Sequence, residues 1–87
     1  IMTVAQDIET KLTESFQPAS LKVIDESSQH AGHMGARPEG ETHFRVEIVA
    51  DAFAGKNRVD RQRMIYAVLK DELAGPVHAL SVSANAP

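Results

Sequence analysis

The chain has 87 residues, of which 24% are charged, with a formal net charge of −3 and no cysteine. This length allows one small domain with a single compact core, which excludes a second domain. The chain can form no disulfide and supply no thiolate ligand, and its net charge argues against a whole-surface affinity for nucleic acid or anionic membrane.

The first segment predicts an α-helix over residues 3–16. Thr3 and Gln6 have the spacing of a capping box, which marks a helix start. The apolar residues that follow repeat every four positions: Val4, Ile8 and Leu12. Pro18 ends the helix. This opening also lacks the basic region and uninterrupted apolar stretch of a signal peptide, and no apolar run is long enough to span a bilayer.

Residues 21–26, LKVIDE, predict a short strand in which Leu21 and Val23 share one face and Lys22 and Ile24 take the other. Residues 27–41, SSQHAGHMGARPEGE, follow as a long loop without periodicity. Loops of this length in a compact domain are usually functional or disordered. The loop contains two histidines three residues apart, His30 and His33.

The segment THFRVEIVA, residues 42–50, predicts a strand with one solvated face. Its residues alternate between an apolar set, Phe44, Val46 and Ile48, and a polar set, His43, Arg45 and Glu47. His43 is therefore expected on the solvent side, with a structural role.

Residues 58–75 predict one long helix, because apolar residues recur at helical spacing and Gly75 and Pro76 close the segment. Its apolar residues are Met64, Ile65, Ala67, Val68, Leu69 and Leu73. The final strand, VHALSVSA, has Leu80 and Val82 on its inward side and Ser81 and Ser83 on its outward side.

The order helix, strand, strand, helix, strand predicts an α+β two-layer sandwich, with two helices on one face of a three-stranded sheet, as one domain over residues 3–84. His78 lies two positions before Leu80 and should point to the core side. It is either a ligand held on a rigid element or a partly buried histidine that donates to a backbone carbonyl.

The segment KNRVDRQR concentrates positive charge at the start of the long helix. Its cations are Lys56, Arg58, Arg61 and Arg63, against the single acid Asp60. Cations at this end oppose the helix dipole, so a bound phosphate would stabilise them. A solvated face and a docking surface for an acidic partner are the alternatives. No motif of an enzyme accompanies the acidic residues, and we expect no catalysis.

Three stretches, VIDES, ETHFRVEIVADAFAGKNRVDRQRMIYAVL and ELAGPVHALSVSA, together resemble the BolA family in order and spacing. The resemblance covers nearly the whole chain and is most specific from Phe53 to Tyr66 and from Val77 to Leu80. It implies a fold similar to class II K-homology domains. It also implies partnership with a monothiol glutaredoxin around a [2Fe-2S] cluster, or DNA binding linked to transcription, morphology and stress response.

The resemblance further implies which histidines bind the cluster. The histidine of VHAL carries over to His78, and the second ligand comes from the loop between the first two strands. The number of residues after the DES motif, residues 25–27, favours His30 as this ligand. The number of residues before ETHF, residues 41–44, favours His33, which we slightly prefer. The thiolates would come from the partner's cysteine and its bound glutathione, so the chain would be a cofactor-free monomer alone and a heterodimer in the complex. Zinc or copper bound by His30, His33 and His78 is an alternative.

One departure from the family and one missing motif bear on function. Family members often have R-H-R-M at the start of the long helix, whereas this chain has Gln62 in place of the histidine. Gly55 is followed by Lys56, Asn57 and Arg58, so the G-x-x-G that clamps RNA in K-homology domains is missing, which argues against sequence-specific RNA binding.

The absence of cysteine suits a reducing compartment, and we expect the cytoplasm.

Overall fold

The computed structural model describes residues 2–30 and 40–87, with the backbone alone for His30. The helices are α1 (Val4–Phe16), α2 (Arg58–Val68) and α3 (Lys70–Ala74), and the strands are β1 (Ser20–Asp25), β2 (His43–Val49) and β3 (Ala79–Asn85). Two short 3-10 helices, Ser27–His30 and Asp51–Phe53, follow β1 and β2. The predicted α+β class and the order of elements are confirmed.

The start of α1 forms as the sequence predicts. The Thr3 side chain accepts a hydrogen bond from the Gln6 backbone N–H, and the Gln6 side chain accepts one from the Thr3 backbone, which completes a capping box. The Glu41 carboxylate accepts a further bond from the Ala5 N–H at 3.2 Å. This contact satisfies another free amide of the first turn and connects α1 to the residues that precede β2.

The three strands form one sheet in the order β1-β2-β3, in which β1 and β2 are antiparallel and β2 and β3 are parallel. Asp25 at the end of β1 is opposite Phe44, and His43 at the start of β2 is opposite Ala79 at the start of β3. The end of β1 and the starts of β2 and β3 therefore meet at one end of the sheet. Ser20, Val49 and Asn85 lie at the other end.

The core lies between the helices and one face of the sheet. Its buried apolar residues are Ile8, Leu12, Phe44, Val46, Ile48, Ala50, Phe53, Ile65, Leu69 and Val77. The predicted inward residues of all three strands belong to this layer, because Leu21, Val23, Leu80 and Val82 pack against it. The opposite face carries the polar alternation of β2 and β3, which leaves it open to solvent.

The prediction of one helix over residues 58–75 is wrong in one respect: α2 and α3 are separated at Leu69, whose backbone angles are φ −101° and ψ 20°. The break is local, since the Leu69 N–H still donates to the Ile65 carbonyl and the Leu73 N–H to the Leu69 carbonyl. Ala67, predicted on the apolar stripe, is exposed. None of the described helices is long and apolar enough to cross a membrane.

Candidate functional site

Two histidines meet where β2 and β3 begin. The rings of His43 and His78 have centroids 5.3 Å apart and planes inclined by 52°. The parallel pairing of β2 with β3 brings these residues together, because His43 starts one strand and His78 immediately precedes the other. We call Ser27, Thr42, His43 and His78 the histidine corner.

A buried hydroxyl organises the histidine corner. The Ser27 Oγ accepts hydrogen bonds from the backbone N–H groups of Thr42 and His43, at 2.9 and 3.1 Å, and from the Thr42 hydroxyl at 3.2 Å. The Thr42 Oγ1 lies 2.8 Å from the His43 Nδ1. Ser27, Thr42 and His43 are all nearly inaccessible to solvent, with 5%, 1% and 6% exposure. Their polar groups are thus bonded to one another in place of water.

Asp25 supports this network from the end of β1. Its Oδ1 accepts the Ser27 N–H at 2.9 Å and its Oδ2 accepts the Glu41 N–H at 3.0 Å. Partial burial raises the pKa of Asp25, but the hydrogen bonds from Ser27 and Glu41 and the proximity of His43 outweigh it and hold this pKa below its ordinary value. A carboxylate stabilised in this way stays charged and fixes the turn that carries Ser27.

His43 differs from its sequence-based expectation. It has the solvent-side parity of β2 but is buried, because the segment after β1 crosses this end of the sheet and bonds to it through Ser27. The predicted structural role is consistent with its bond to Thr42. One signal in the sequence does point to this arrangement: Asp25-Glu26-Ser27 fits an Asx turn, in which an aspartate accepts the N–H two residues later.

His78 is exposed, so the expectation that it points into the core is wrong. The reason is its place outside the strand, since β3 begins only at Ala79. Its backbone is nevertheless fixed: the N–H groups of His78 and Ala79 both donate to the Thr42 carbonyl, at 2.8 and 3.2 Å. On its other side, the buried Val77 donates its N–H to the Glu72 carbonyl at 2.9 Å.

The loop histidines lie largely outside the described residues. His30 ends the 3-10 helix Ser27–His30, and only its backbone is described, while His33 falls in the segment 31–39. Within residues 2–30 and 40–87, no three histidine, aspartate or glutamate side chains are placed to hold a metal ion together. The predicted set of His30, His33 and His78 therefore stays a prediction.

The predicted phosphate contacts lie at the opposite end of β3. Arg61 is held there by two backbone carbonyls: its Nε donates to the Lys56 oxygen at 2.9 Å and its Nη1 to the Ala84 oxygen at 3.0 Å. A cavity of about 290 Å³ separates the start of α2 from residues 82–85, lined by Arg58, Arg61 and Gln62 on the helix side. We call this cavity the arginine cleft.

The four cations are not equivalent, contrary to the sequence-based view of them as one patch. Arg61 joins α2 to β3, whereas Lys56 and Arg58 are exposed. Arg63 is also exposed and lies 3.8 Å from the Asp60 carboxylate, one turn away. The start of α2 already has a cap, because the Asn57 side chain accepts the Asp60 N–H at 2.8 Å. An incoming phosphate would thus meet side chains more than free amides.

Comparisons with known proteins agree with this fold. The family model described as BolA-like protein matches residues 12–87. The chain is 51% identical over 87 residues to an uncharacterized protein in the cobS 5′ region of a Sinorhizobium species, covering 99% of this chain and 94% of that protein. It is 43% identical over 81 residues to the DNA-binding transcriptional regulator BolA of Escherichia coli K12, covering 93% of this chain and 73% of the regulator.

A solved structure, the BolA domain of SufE1 from Arabidopsis thaliana, superposes with a TM-score of 0.89 at 46% identity, covering all of this chain and 95% of that one. Other curated relatives are longer: the chain spans 23% of the Arabidopsis SufE-like protein 1 and 56% of human BolA-like protein 1. The family model alone covers most of the chain, and the sequence and structural matches point to the same family. The chain therefore belongs to the BolA family.

Proposed function

We propose that this chain is a non-enzymatic protein that forms a heterodimer with a monothiol glutaredoxin and shares a [2Fe-2S] cluster with it, in cluster trafficking or iron homeostasis. The observation that carries the proposal is His78, an exposed imidazole on a backbone that is fixed on both sides. The absence of cysteine from the chain supports the cytoplasm as its compartment.

The position of His78 suits a metal ligand. A ligand must be held in place by its surroundings yet remain open to the metal. The Thr42 carbonyl holds the backbone of His78, and the His43 ring packs beside its imidazole. His43 is in turn fixed by Thr42 and Ser27, so the ring that packs beside His78 is itself held in place.

The donor set of the chain fits half of a shared cluster. The chain has no thiolate, and its described residues hold no group of three metal-binding side chains. Two imidazoles can bind one iron of a [2Fe-2S] cluster and raise its reduction potential above that of an all-thiolate cluster. His78 and one loop histidine would be these ligands, and the partner's cysteine and glutathione would supply the thiolates.

The described backbone supports His30 as the loop ligand, although counting back from ETHF favours His33. Ser27 is bonded to Thr42 and His43, and His30 follows it by three residues within one 3-10 helix. At about 2 Å of rise per residue, the backbone of His30 is about 6 Å along the helix from Ser27. This connection ties the backbone of His30 to the histidine corner.

The test is an anaerobic titration of the chain into a [2Fe-2S]-loaded monothiol glutaredoxin homodimer, followed by visible circular dichroism. A new spectrum at one chain per glutaredoxin is expected, together with a heterodimer on size-exclusion chromatography. His78→Ala should abolish this spectrum, and His30→Ala should abolish or strongly change it. His33→Ala should leave it intact, as should Gln29→Ala, a matched change at an exposed neighbour of His30.

Each outcome has a distinct meaning. An unchanged spectrum with His78→Ala would reject the ligand assignment, and no new spectrum with the unmodified chain would reject the shared cluster. If His33→Ala abolished the new spectrum and His30→Ala did not, His33 would be the loop ligand in place of His30. Tight zinc binding by the chain alone that requires all three histidines would favour the self-contained metal site.

DNA binding is the second candidate, supported by the name of the 43% identical Escherichia coli regulator. The exposed side chains of Lys56, Arg58 and Arg63 lie near the start of α2 and could contact phosphates. Arg61 contributes less freely, since two carbonyls already hold its guanidinium. Three phosphate contacts would make the logarithm of the affinity fall with log salt at a slope of roughly −3.

A salt titration with a short duplex DNA tests this candidate. Replacing Lys56, Arg58 and Arg63 one at a time by Ala should reduce the slope by about one for each removed contact. Lys22→Ala, a change of an exposed lysine on the open face of the sheet, is the control. An unchanged slope in all three variants would remove this surface from DNA binding.

A further inference from the structure

The two edges of the sheet are protected very differently. Edge strands expose unpaired backbone groups, and proteins usually cover them or place charged residues and proline on them. The edge strand β1, SLKVID, contains Lys22 and Asp25 and packs beside α1. The other edge strand, β3, has the sequence ALSVSAN, with neither charge nor proline over seven residues.

The direction of the backbone groups of β3 follows from its contacts. The Ala79 N–H donates to the Thr42 carbonyl, and the Asn85 carbonyl accepts the Ala50 N–H, so the odd-numbered residues face β2. Backbone groups of successive residues in a strand point to opposite sides. Leu80, Val82 and Ala84 therefore direct their N–H and C=O groups to the outer edge, where no further strand is found within residues 2–30 and 40–87.

Two side chains of α2 already donate hydrogen bonds to carbonyl groups at this edge. The Tyr66 hydroxyl donates to the Leu80 carbonyl at 3.0 Å, and Arg61 donates to the Ala84 carbonyl at the same distance. The helix thus runs alongside the strand edge, over a length of about 13 Å from Leu80 to Ala84. In the part of the chain that the structure describes, no strand pairs with the outward N–H groups or with the Val82 carbonyl between these points.

Two neighbouring cavities adjoin α2. The arginine cleft is lined by Arg58 and Arg61, and none of the described acidic residues lines it. A second cavity of about 530 Å³ shares Gln62 with it and is otherwise lined by Val59, Arg63, Tyr66 and Ala67 of α2. Val59 is one of two large apolar side chains exposed among the described residues, at 55%.

We propose that the outer edge of β3 binds an extended segment of a partner protein, which adds as a fourth strand and places a carboxylate against Arg58 and Arg61. Backbone pairing would supply affinity, and the alternate side chains would supply specificity. The segment would have acidic residues at the Ala84 end and apolar residues toward Tyr66. Charge complementarity selects this occupant, since the exposed guanidinium of Arg58 suits a bidentate contact with a carboxylate and none of the described acidic residues lines the cleft.

The experiment uses a fluorescent peptide as long as β3, seven residues, with two valines followed by two glutamates at alternating positions and serines between them. Its reversed sequence covers the other strand direction. Saturable binding is expected, with NMR shifts of the backbone amides of Leu80, Val82 and Ala84. A peptide with lysine in place of glutamate should bind at least about tenfold more weakly, as should one with N-methyl groups that block backbone pairing.

Variants of the chain locate the contact. Val82→Pro removes an N–H that points to the outer edge, but it removes no hydrogen bond to β2. Val82→Ala is its control, because it also loses the packing of the valine side chain but keeps the N–H. Val82→Pro should therefore bind the peptide more weakly than Val82→Ala. Arg58→Glu should abolish the preference for glutamate over lysine. The peptide variants keep the test decisive if Val82→Pro does not fold.

Three results would overturn the proposal. Equal binding of the N-methylated peptide would exclude strand addition. Binding of a short duplex DNA with shifts at the same amides, without any binding of the peptide, would make nucleic acid the occupant. Concentration-dependent dimerisation that is lost with Val82→Pro, again without peptide binding, would make a second copy of the chain the occupant.

Discussion

The two ends of β3 carry the two candidate sites, and they are built in opposite ways. At the start of β3, the histidine corner places the exposed His78 beside three buried residues, Ser27, Thr42 and His43, whose polar groups bond to one another and to the backbone. At its end, the arginine cleft has the exposed Arg58 beside the fixed guanidinium of Arg61, and Lys56 and Arg63 are exposed near the start of the same helix. Seven residues, about 20 Å of strand, separate a rigid site from an adaptable one.

This contrast separates the kinds of partner that each end suits. A buried network fixes one geometry, which suits a ligand such as a metal cluster with strict demands on direction and distance. Exposed cations tolerate many geometries, and their contributions are small, additive and sensitive to salt. Substitutions at the histidine corner should therefore cost stability as well as function, whereas those of the exposed cations should affect binding alone.

The largest effect is expected for Ser27→Ala. The change leaves the buried N–H groups of Thr42 and His43 without their acceptor, which should lower the free energy of unfolding by about 3 kcal/mol. Chemical denaturation measures this loss. Ser28→Ala, at the exposed next residue, should leave stability unchanged. Equal losses in the two variants would show that the Ser27 hydroxyl does not organise the histidine corner.

Arg61→Ala, at the arginine cleft, should cause the next largest loss of stability. It removes two hydrogen bonds that hold α2 to the Lys56 and Ala84 carbonyls, and about 1.5 kcal/mol of unfolding free energy should be lost. Arg58→Ala removes the same charge from an exposed position and should cost almost nothing. If both variants lost the same stability, electrostatics rather than anchoring would govern the arginine cleft.

These two sites also show what the sequence could predict. Periodicity predicted every strand and the inward side of β2, because local backbone preference and burial agree there. The spacing of Thr3 and Gln6 predicted the capping box of α1. It missed the break at Leu69, since helical hydrogen bonds and apolar spacing both continue across that residue. The burial of His43 and the anchoring of Arg61 depend on partners 16 and 23 residues away, to which no local pattern is sensitive.

Asp25→Asn should cost about 1 kcal/mol near neutral pH, since the carboxylate accepts two backbone bonds but is largely exposed. The folded-state pKa of Asp25 lies below its ordinary value, so its stabilisation is fully present above that value. It is lost as the pH falls through the ordinary value toward the folded pKa, below about 4.

Denaturation of Asp25→Asn and of the unmodified chain across the acidic range measures this dependence. Their difference in unfolding free energy should shrink as the pH falls, and Asp51→Asn, the same change at an exposed residue, is the matched control. A gap between the Asp25 variant and the unmodified chain that widened toward low pH would contradict the charged hydrogen-bonded state.

The smallest effect is expected for Tyr66→Phe, which removes only the hydroxyl that bonds to the Leu80 carbonyl. About 0.5 kcal/mol should be lost, or a few degrees of melting temperature for a domain of this size. Because the change also exposes that carbonyl at the edge of β3, the variant should bind the valine and glutamate peptide more tightly. Weaker binding with unchanged stability would instead show that the hydroxyl contacts the peptide directly.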